Sequence, residues 1–506
     1  MSHFMNPTST CMPVFLDLDL AQRPPSEGNA PLTPGYRPGY HLAPKTGWMN
    51  DPNGVVYFRG EYHVFYQHHP FDPSWGPMYW GHAKSRDLVH WQHLPIALQP
   101  GDEFDRHGCF SGSAVVCGDS LALLYTGHTW LGEVGDERSI RQVQCLATSD
   151  DGVHFVKHGA VIEAAPDAAI MHFRDPKVWR DGEHWYLIAG ARLGDVPLLP
   201  LYRSTDLRAW EFLAYASRGG EGDGYMWECP DLFRLDGQDV LLYSPQGMQP
   251  EGFERLNKFQ TGYRVGRLDS DWRFAGGPFI ELDNGHDFYA TQTLLAADGR
   301  RLLWAWLDMW DSPMPSKAQH WCGMLGVPRE LQLHEGRLHS YPARELAALR
   351  QQPLLADGAL CWDGSGSQPL AGLSGDMLEI ELQLDVADCR DGRLGIALRC
   401  SADGQEQTLL YYDAQLQRLV FDRNRSGAGA GDQRSVALAP SREPLVLRIF
   451  LDRSSIEVFA ADGSFSLSSR IYPQPDSLGL ALFGAGGGRV AVRQAWPLAS
   501  GWVENS

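Results

Sequence analysis

Of the 62 acidic residues in this 506-residue chain, three stand in contexts unlike a solvated surface. They are Asp51 in WMNDPNG, Asp175 in FRDPKVW and Glu228 in MWECPDLF. All three are flanked by proline and aromatic residues rather than by mixed lysine and glutamate. Glycoside hydrolysis calls for such groups: two carboxyls on opposite sides of an anomeric carbon, one as acid and one as nucleophile or base. Asp51 alone also reads as a turn residue, because Asn-Asp-Pro-Asn-Gly makes a turn by its own chemistry. Three carboxyls at corresponding points of a repeat are harder to explain that way. The chain also holds 17 Trp, 18 Tyr and 21 Phe, more than core packing usually demands, and ring faces are a standard surface for sugar C–H groups. Aromatic-rich strands are the other explanation for that content.

Rival chemistries lack their patterns. Ser111 and Ser113 lie in CFSGSAV, which has no GxSxG elbow, and neither a GxGxxG after a strand nor a Walker sequence occurs. His68, His69 and His82 lack metal-ligand spacing, and the nine cysteines include no CxxC pair. Reduced thiols and no zinc site are therefore expected. A formal net charge of −19 repels nucleic acid and anionic membranes. The first twenty residues have no basic segment ahead of a long apolar stretch, and no window reaches the roughly 18 apolar residues of a membrane span. The expectation is a cytoplasmic protein with no nucleic-acid and no membrane partner.

The elements that must position the acids repeat along the chain. Ser85-x-Asp87, Ser149-x-Asp151 and Ser204-x-Asp206 each lead, four residues after the aspartate, to an aromatic: Trp91, Phe155 and Trp210. A degenerate fourth copy runs from Asp269 to Phe274, and successive copies start about 55–65 positions apart. Short apolar runs broken by turn pairs such as Arg59-Gly60 and Asp181-Gly182 fill the intervals, as in an all-β repeat. Five units of this size, the size of a propeller blade, cover residues 40–345. Each unit opens on a polar motif: Asn50-Asp51-Pro52, Phe110-Ser111-Gly112, Arg174-Asp175-Pro176, Glu228-Cys229-Pro230 and Asp287-Phe288-Tyr289-Ala290. In a propeller such openings converge on one axial pocket. Residues 346–506 change character. The runs 377–383, 394–399, 445–450 and 455–459 alternate apolar and polar side chains, the pattern of strands with one buried face, and a β-sandwich is the simplest architecture for them. Residues 1–39 are proline-rich and aperiodic and are assigned no domain.

These motifs, together with HLAPKTGWMNDPNG, the long run from Phe65 to Trp91, YTGH, GHDFYATQ, RIFLDRSSIEVF and SSRIYPQP, resemble glycoside hydrolase family 32, the invertases and sucrose-6-phosphate hydrolases. The resemblance spans His41 to Pro473 and implies a five-bladed β-propeller followed by a C-terminal β-sandwich. By the same resemblance Asp51 is the nucleophile, Glu228 the general acid/base and Asp175 the stabiliser of the transition state. It also implies that Asn50, Gln67, Trp75, Phe110, Ser111, Arg174 and Trp306 line the sugar site, with Asp287 and Tyr289 as further candidates, and that no metal or cofactor is used.

That division of labour requires Asp51 ionised and Glu228 protonated at neutral pH. Arg174, next to Asp175, is expected to keep that third carboxylate ionised, and Trp75 and Trp306 to form stacking walls. Retention implies about 5 to 5.5 Å between the two working carboxyls. The expected main activity is hydrolysis of unphosphorylated sucrose. Sucrose 6-phosphate is the alternative, with Arg138, Arg141, Arg255 and Lys258 as candidate phosphate contacts. Fructosyl transfer and a non-catalytic sugar-binding propeller are the remaining readings.

Overall fold

The structure, a computed structural model, describes residues 35–355, 360–363 and 365–503. The N-terminal segment 1–34 lies outside these residues. The first twenty-odd strands form five consecutive antiparallel sheets, each a meander, and the first strand of each sheet packs against the first strands of its neighbours around a common axis. These inner strands are Gly47–Phe58, Gly108–Cys117, His172–Asp181, Met226–Leu235 and Tyr289–Leu295. The ring closes where Gly47 and Trp48 pair in parallel with Trp321 and Cys322. Apolar side chains fill the space between blades. Leu124, Leu146, Phe173, Leu187 and Leu198, for instance, form one buried cluster between the second and third. Each such leucine contributes about 1.5–3 kcal/mol by leaving water, so packing between blades outweighs any single hydrogen bond in the channel.

The Ser-x-Asp repeat is the turn between the third and fourth strands of a blade. Asp87 accepts from the backbone N–H groups of Val89 and His90, Asp151 from Val153 and His154, and Asp206 from Arg208 and Ala209. The residue after the aspartate is left-handed in all three: Leu88 (φ 71°), Gly152 (φ 76°) and Leu207 (φ 63°). In the degenerate copy Asp269 does this work two residues early, accepting from Asp271 and Arg273.

The C-terminal part is two six-stranded antiparallel sheets. One contains Leu378–Asp385, Leu445–Asp452 and Ser455–Ala460; the other contains Arg393–Cys400, Gln407–Asp413 and Arg418–Arg425. Leu378, Ile380, Leu382, Ile396, Phe421 and Val458 meet between them in a single core. The alternating pattern predicts one buried face per strand, yet Ser455–Ala460 is buried along its whole length. Its second face is covered by the propeller. There Arg329 reaches Asp283 (3.0 Å) and Glu457 (2.7 Å), and His41 lies between Asp452 (2.8 Å) and Glu457 (2.9 Å), all fully buried.

Candidate active site

Every inner strand breaks its register at the same point. Asn50-Asp51 stand opposite Gln67, Asp175-Pro176 opposite Ala189, Cys229-Pro230 opposite Tyr243 and Ala290-Thr291 opposite Ala305, while Ser111 is the extra residue between Phe110 and Gly112. A β-bulge adds one residue on one side, bends the strand and re-aims its side chains. Three bulged residues are left-handed without being glycine: Asp175 (φ 63°), Cys229 (φ 48°) and Ala290 (φ 54°). Each costs about 1 kcal/mol or more, strain typical of positions whose direction matters.

The motifs sort their residues into two tiers. Asp51, Asp175 and Cys229 each stand directly before a proline and, with Ser111 and Ala290, form one tier, although Asp51 is the second residue of its bulge and Asp175, Cys229 and Ala290 are the first of theirs. Ser111 Oγ donates to Asp51 Oδ2 (2.6 Å), and the Cys229 N–H donates to Asp175 Oδ2 (3.0 Å). The Cys229 thiol bridges the two acids, with Sγ 3.6 Å from Asp51 Oδ2 and 3.8 Å from Asp175 Oδ2. The residues one place earlier, Asn50, Phe110, Arg174, Glu228 and Tyr289, form the other tier. Asn50 Nδ2 donates to Asp51 Oδ1 (2.9 Å), and Asn50 Oδ1 accepts from Trp48 Nε1 (2.7 Å). Glu228 Oε1 accepts from Arg174 Nε (3.0 Å) and Nη2 (2.8 Å); its Oε2 accepts from Gln246 Nε2 (2.8 Å) and the Tyr289 hydroxyl (2.5 Å). The three acids thus meet, but not as three equivalents: Asp51 and Asp175 correspond, and Glu228 sits one residue ahead.

Two expectations need correction. Arg174 pairs with Glu228 rather than holding its neighbour Asp175, because adjacent residues of a strand point to opposite sides and the bulge separates them further. Trp306 is no stacking wall. It is fully buried, with Trp48 at 5.9 Å and Trp310 at 5.0 Å, and the half-buried ring on that side is Trp310. Of the other candidates, Trp75 meets Phe110 edge-on at 6.2 Å, Phe110 stacks on His128 at 4.2 Å, and both are half-buried at the pocket. Gln67 is buried opposite the Asp51 bulge and donates to the Cys109 carbonyl (3.0 Å). Tyr289 belongs to the site, whereas Asp287 is fully buried against Arg423 (2.6 Å), the Arg470 N–H (2.8 Å) and Ser312 (3.2 Å).

Burial dominates the electrostatics. It raises the Asp51 carboxyl above its ordinary value, helped by the charge of Glu228 and opposed by hydrogen bonds from Ser111, Asn50 and Cys229. Asp175 rises to about 7, again chiefly by burial, with the Arg174 guanidinium pulling down and Glu228 and Asp51 pushing up. A raised Asp51 departs from the simple picture of a freely ionised nucleophile. Asp175 feels the charge of Asp51 across this buried site, so the two aspartates titrate together. Sequence reading missed Cys229, Gln246, Trp48 and Trp310. Cys229 and Trp48 were within reach, lying inside recognised motifs; Gln246 is brought in by strand pairing and Trp310 by ring packing, and neither carries a local signal.

Comparison with known proteins places these features in context. The model of the glycosyl hydrolases family 32 N-terminal domain matches residues 41–342, and that of the family 32 C terminal matches 345–497. A sucrose-6-phosphate hydrolase of Zymomonas mobilis is 46% identical over 470 residues, 90% of this chain and 91% of its own length. A raffinose invertase of Escherichia coli is 47% identical over 474 residues, 93% of this chain and 96% of its own. Among solved structures, a Bombyx mori β-fructofuranosidase superposes with a TM-score of 0.82 at 38% identity, over 93% of this chain and 96% of that one. A Lactobacillus gasseri sucrose-6-phosphate hydrolase gives 0.83 at 27% identity, over 96% and 100%.

Proposed function

This chain belongs to glycosyl hydrolase family 32 and is a glycoside hydrolase of the β-fructofuranosidase type, and from that premise we propose that Asp51, Glu228 and Asp175 carry a retaining double displacement. Glu228 gives its proton to the glycosidic oxygen while an Asp51 oxygen attacks the fructosyl anomeric carbon; the C–O bond breaks and the glucosyl part leaves with the proton. Glu228 then takes a proton from water, whose oxygen attacks the same carbon and frees Asp51. Asp175 holds fructose hydroxyls and favours the positive charge that develops. The observation that carries this reading is the joining of all three acids through one residue: Cys229 follows Glu228 directly and touches both Asp51 and Asp175.

We infer sucrose 6-phosphate as the substrate, in preference to the free sucrose expected from the sequence. Relatives named sucrose-6-phosphate hydrolase in Zymomonas mobilis, Escherichia coli and Bacillus subtilis support it. Of the four candidate phosphate contacts, three already face carboxylates: Arg138 faces Asp136, Arg141 faces Glu163 and Arg255 faces Glu251. Lys258 differs. Its ammonium lies 5.5 Å from the Phe259 ring, which lies 5.8 Å from Tyr289, the residue that donates to Glu228. Lys258 is thus the cation that favours the phosphorylated substrate. Free sucrose is the second reading, favoured by the invertase at 47% identity. Measuring kcat/KM for both sugars decides: a preference of about a hundredfold for the phosphorylated one, lost in Lys258→Ala, supports the first, and equal or better use of sucrose overturns it.

A further inference from the structure

We propose that Arg423 and Arg470 of the sandwich are positioning residues for the sugar pocket, acting through Asp287 and Asp308 on the segment 307–320 that carries Trp310. The inference rests on the fructosidase reading of the site. Both arginines are buried, and neither touches the three acids. Arg470 Nη1 pairs with Asp308 (3.0 Å), the second residue of the segment, and its backbone N–H donates to Asp287 Oδ2 (2.8 Å). Arg423 Nη1 donates to the same oxygen (2.6 Å), while Asp287 Oδ1 accepts from Ser312 (3.2 Å), two residues beyond Trp310. Trp310 is therefore bracketed at 308 and 312 by carboxylates whose cations come from the other part of the molecule.

From Trp310 the contacts run on to the nucleophile. Its ring stacks on Trp48 at 5.8 Å with the planes 25° apart and meets Trp306 at 5.0 Å. Trp48 Nε1 donates to Asn50, and Asn50 donates to Asp51. Trp310 is half-buried while Trp48 and Trp306 behind it are buried, so its free face is the one of the three left for a sugar. Segment 307–320 itself has one short 3₁₀ stretch, Pro315–Gln319, and little regular pairing of its own. A loop of that kind takes its geometry from what holds its ends.

The test is a double-mutant cycle in the full chain, with kinetics on sucrose and on sucrose 6-phosphate. Trp310→Ala and Arg423→Gln are each expected to raise KM about tenfold with kcat less affected, and the double variant to be no worse than the worse single one, since both remove the same linkage. Arg423→Lys, which keeps a donor for Asp287, restores most of the affinity. Arg399→Gln is the control for general weakening: Arg399 is equally buried but, among the described residues, bonds the carbonyls of Ser477, Arg453 and Gln474 and no carboxylate, so it lowers Tm and leaves KM unchanged. Should Arg423→Gln fail to fold, Ser312→Ala removes the nearer contact and is expected to raise KM about threefold. Unchanged KM in Arg423→Gln or Ser312→Ala, or a double variant whose effect is the product of the two, overturns the proposal while the fructosidase reading stands. An unaltered chain that releases fructose from neither sugar overturns that reading, and this proposal with it.

Discussion

Burial holds Asp175 near a pKa of about 7, so the folded chain binds this proton more tightly than the unfolded chain does. Its cost to stability therefore grows as pH rises from about 4 to 7 and is complete above 7. Asp175→Asn is accordingly expected to lose several orders of magnitude in kcat while gaining about 1–3 kcal/mol of unfolding free energy at pH 8 and little at pH 4. Urea titrations at the two pH values check it; a variant less stable than the parent at pH 8 sinks the argument. The two partners of the proposed displacement separate differently. Asp51→Ala and Glu228→Ala each lower kcat by several orders of magnitude, but Glu228→Ala retains more activity on a fructoside whose leaving group needs no protonation. Equal losses on good and poor leaving groups count against Glu228 as the acid. Which residues gather around the three acids was largely legible from their motifs. Which atoms they touch was not: the pairing of Arg174 with Glu228 instead of Asp175 depends on a bulge, and a bulge is a property of two strands in register.

At the scale of elements, the legible signals were those held within a few residues. The Ser-x-Asp turn could be read because its serine, aspartate and left-handed residue act on their own backbone, as at Ser204, Asp206 and Leu207. Asp206→Ala removes the acceptor for two backbone N–H groups on the rim of the third blade, and is expected to cost about 1–2 kcal/mol with kcat and KM unchanged. A fall in kcat there means the turn is coupled to the pocket. The sandwich was read from four runs, whereas two six-stranded sheets exist. The strands without a clean alternation explain the shortfall: in Gln407–Asp413, LLYYD is nearly all buried, and the short Gln433–Ala437 shows one buried position. The fivefold bulge left no trace in composition, because Asn, Ser, Asp, Cys and Ala open it in the five strands. What the ring conserves internally is backbone shape.

At the scale of the molecule, the two parts are joined by charge that is almost wholly out of water, in a chain of net charge −19. His41 illustrates the consequence. Burial alone would lower its pKa, but hydrogen bonds and charges from Asp452 and Glu457 bring it up to about 9, while Glu457 falls to about 2 under His41 and Arg329. The signs are opposite. His41, raised above its unfolded value of about 6.5, contributes stability fully present below that pH and lost as pH rises through 9; Glu457, depressed, contributes stability present above about 4.5 and lost as pH falls toward 2. The join is therefore strongest between about pH 5 and 6.5. We expect the free energy of unfolding to fall by up to about 3 kcal/mol between pH 6.5 and 9.5, and His41→Asn, which cannot take up the proton, to be less stable at pH 6 but to lack most of that fall. The sandwich bears on Asp287 and Asp308 as well, so any loosening at high pH should reach KM before the propeller unfolds. Denaturant titrations of both chains across this range, with KM measured alongside, check the argument. A His41→Asn variant with the same pH slope as the parent would place the sensitive group elsewhere.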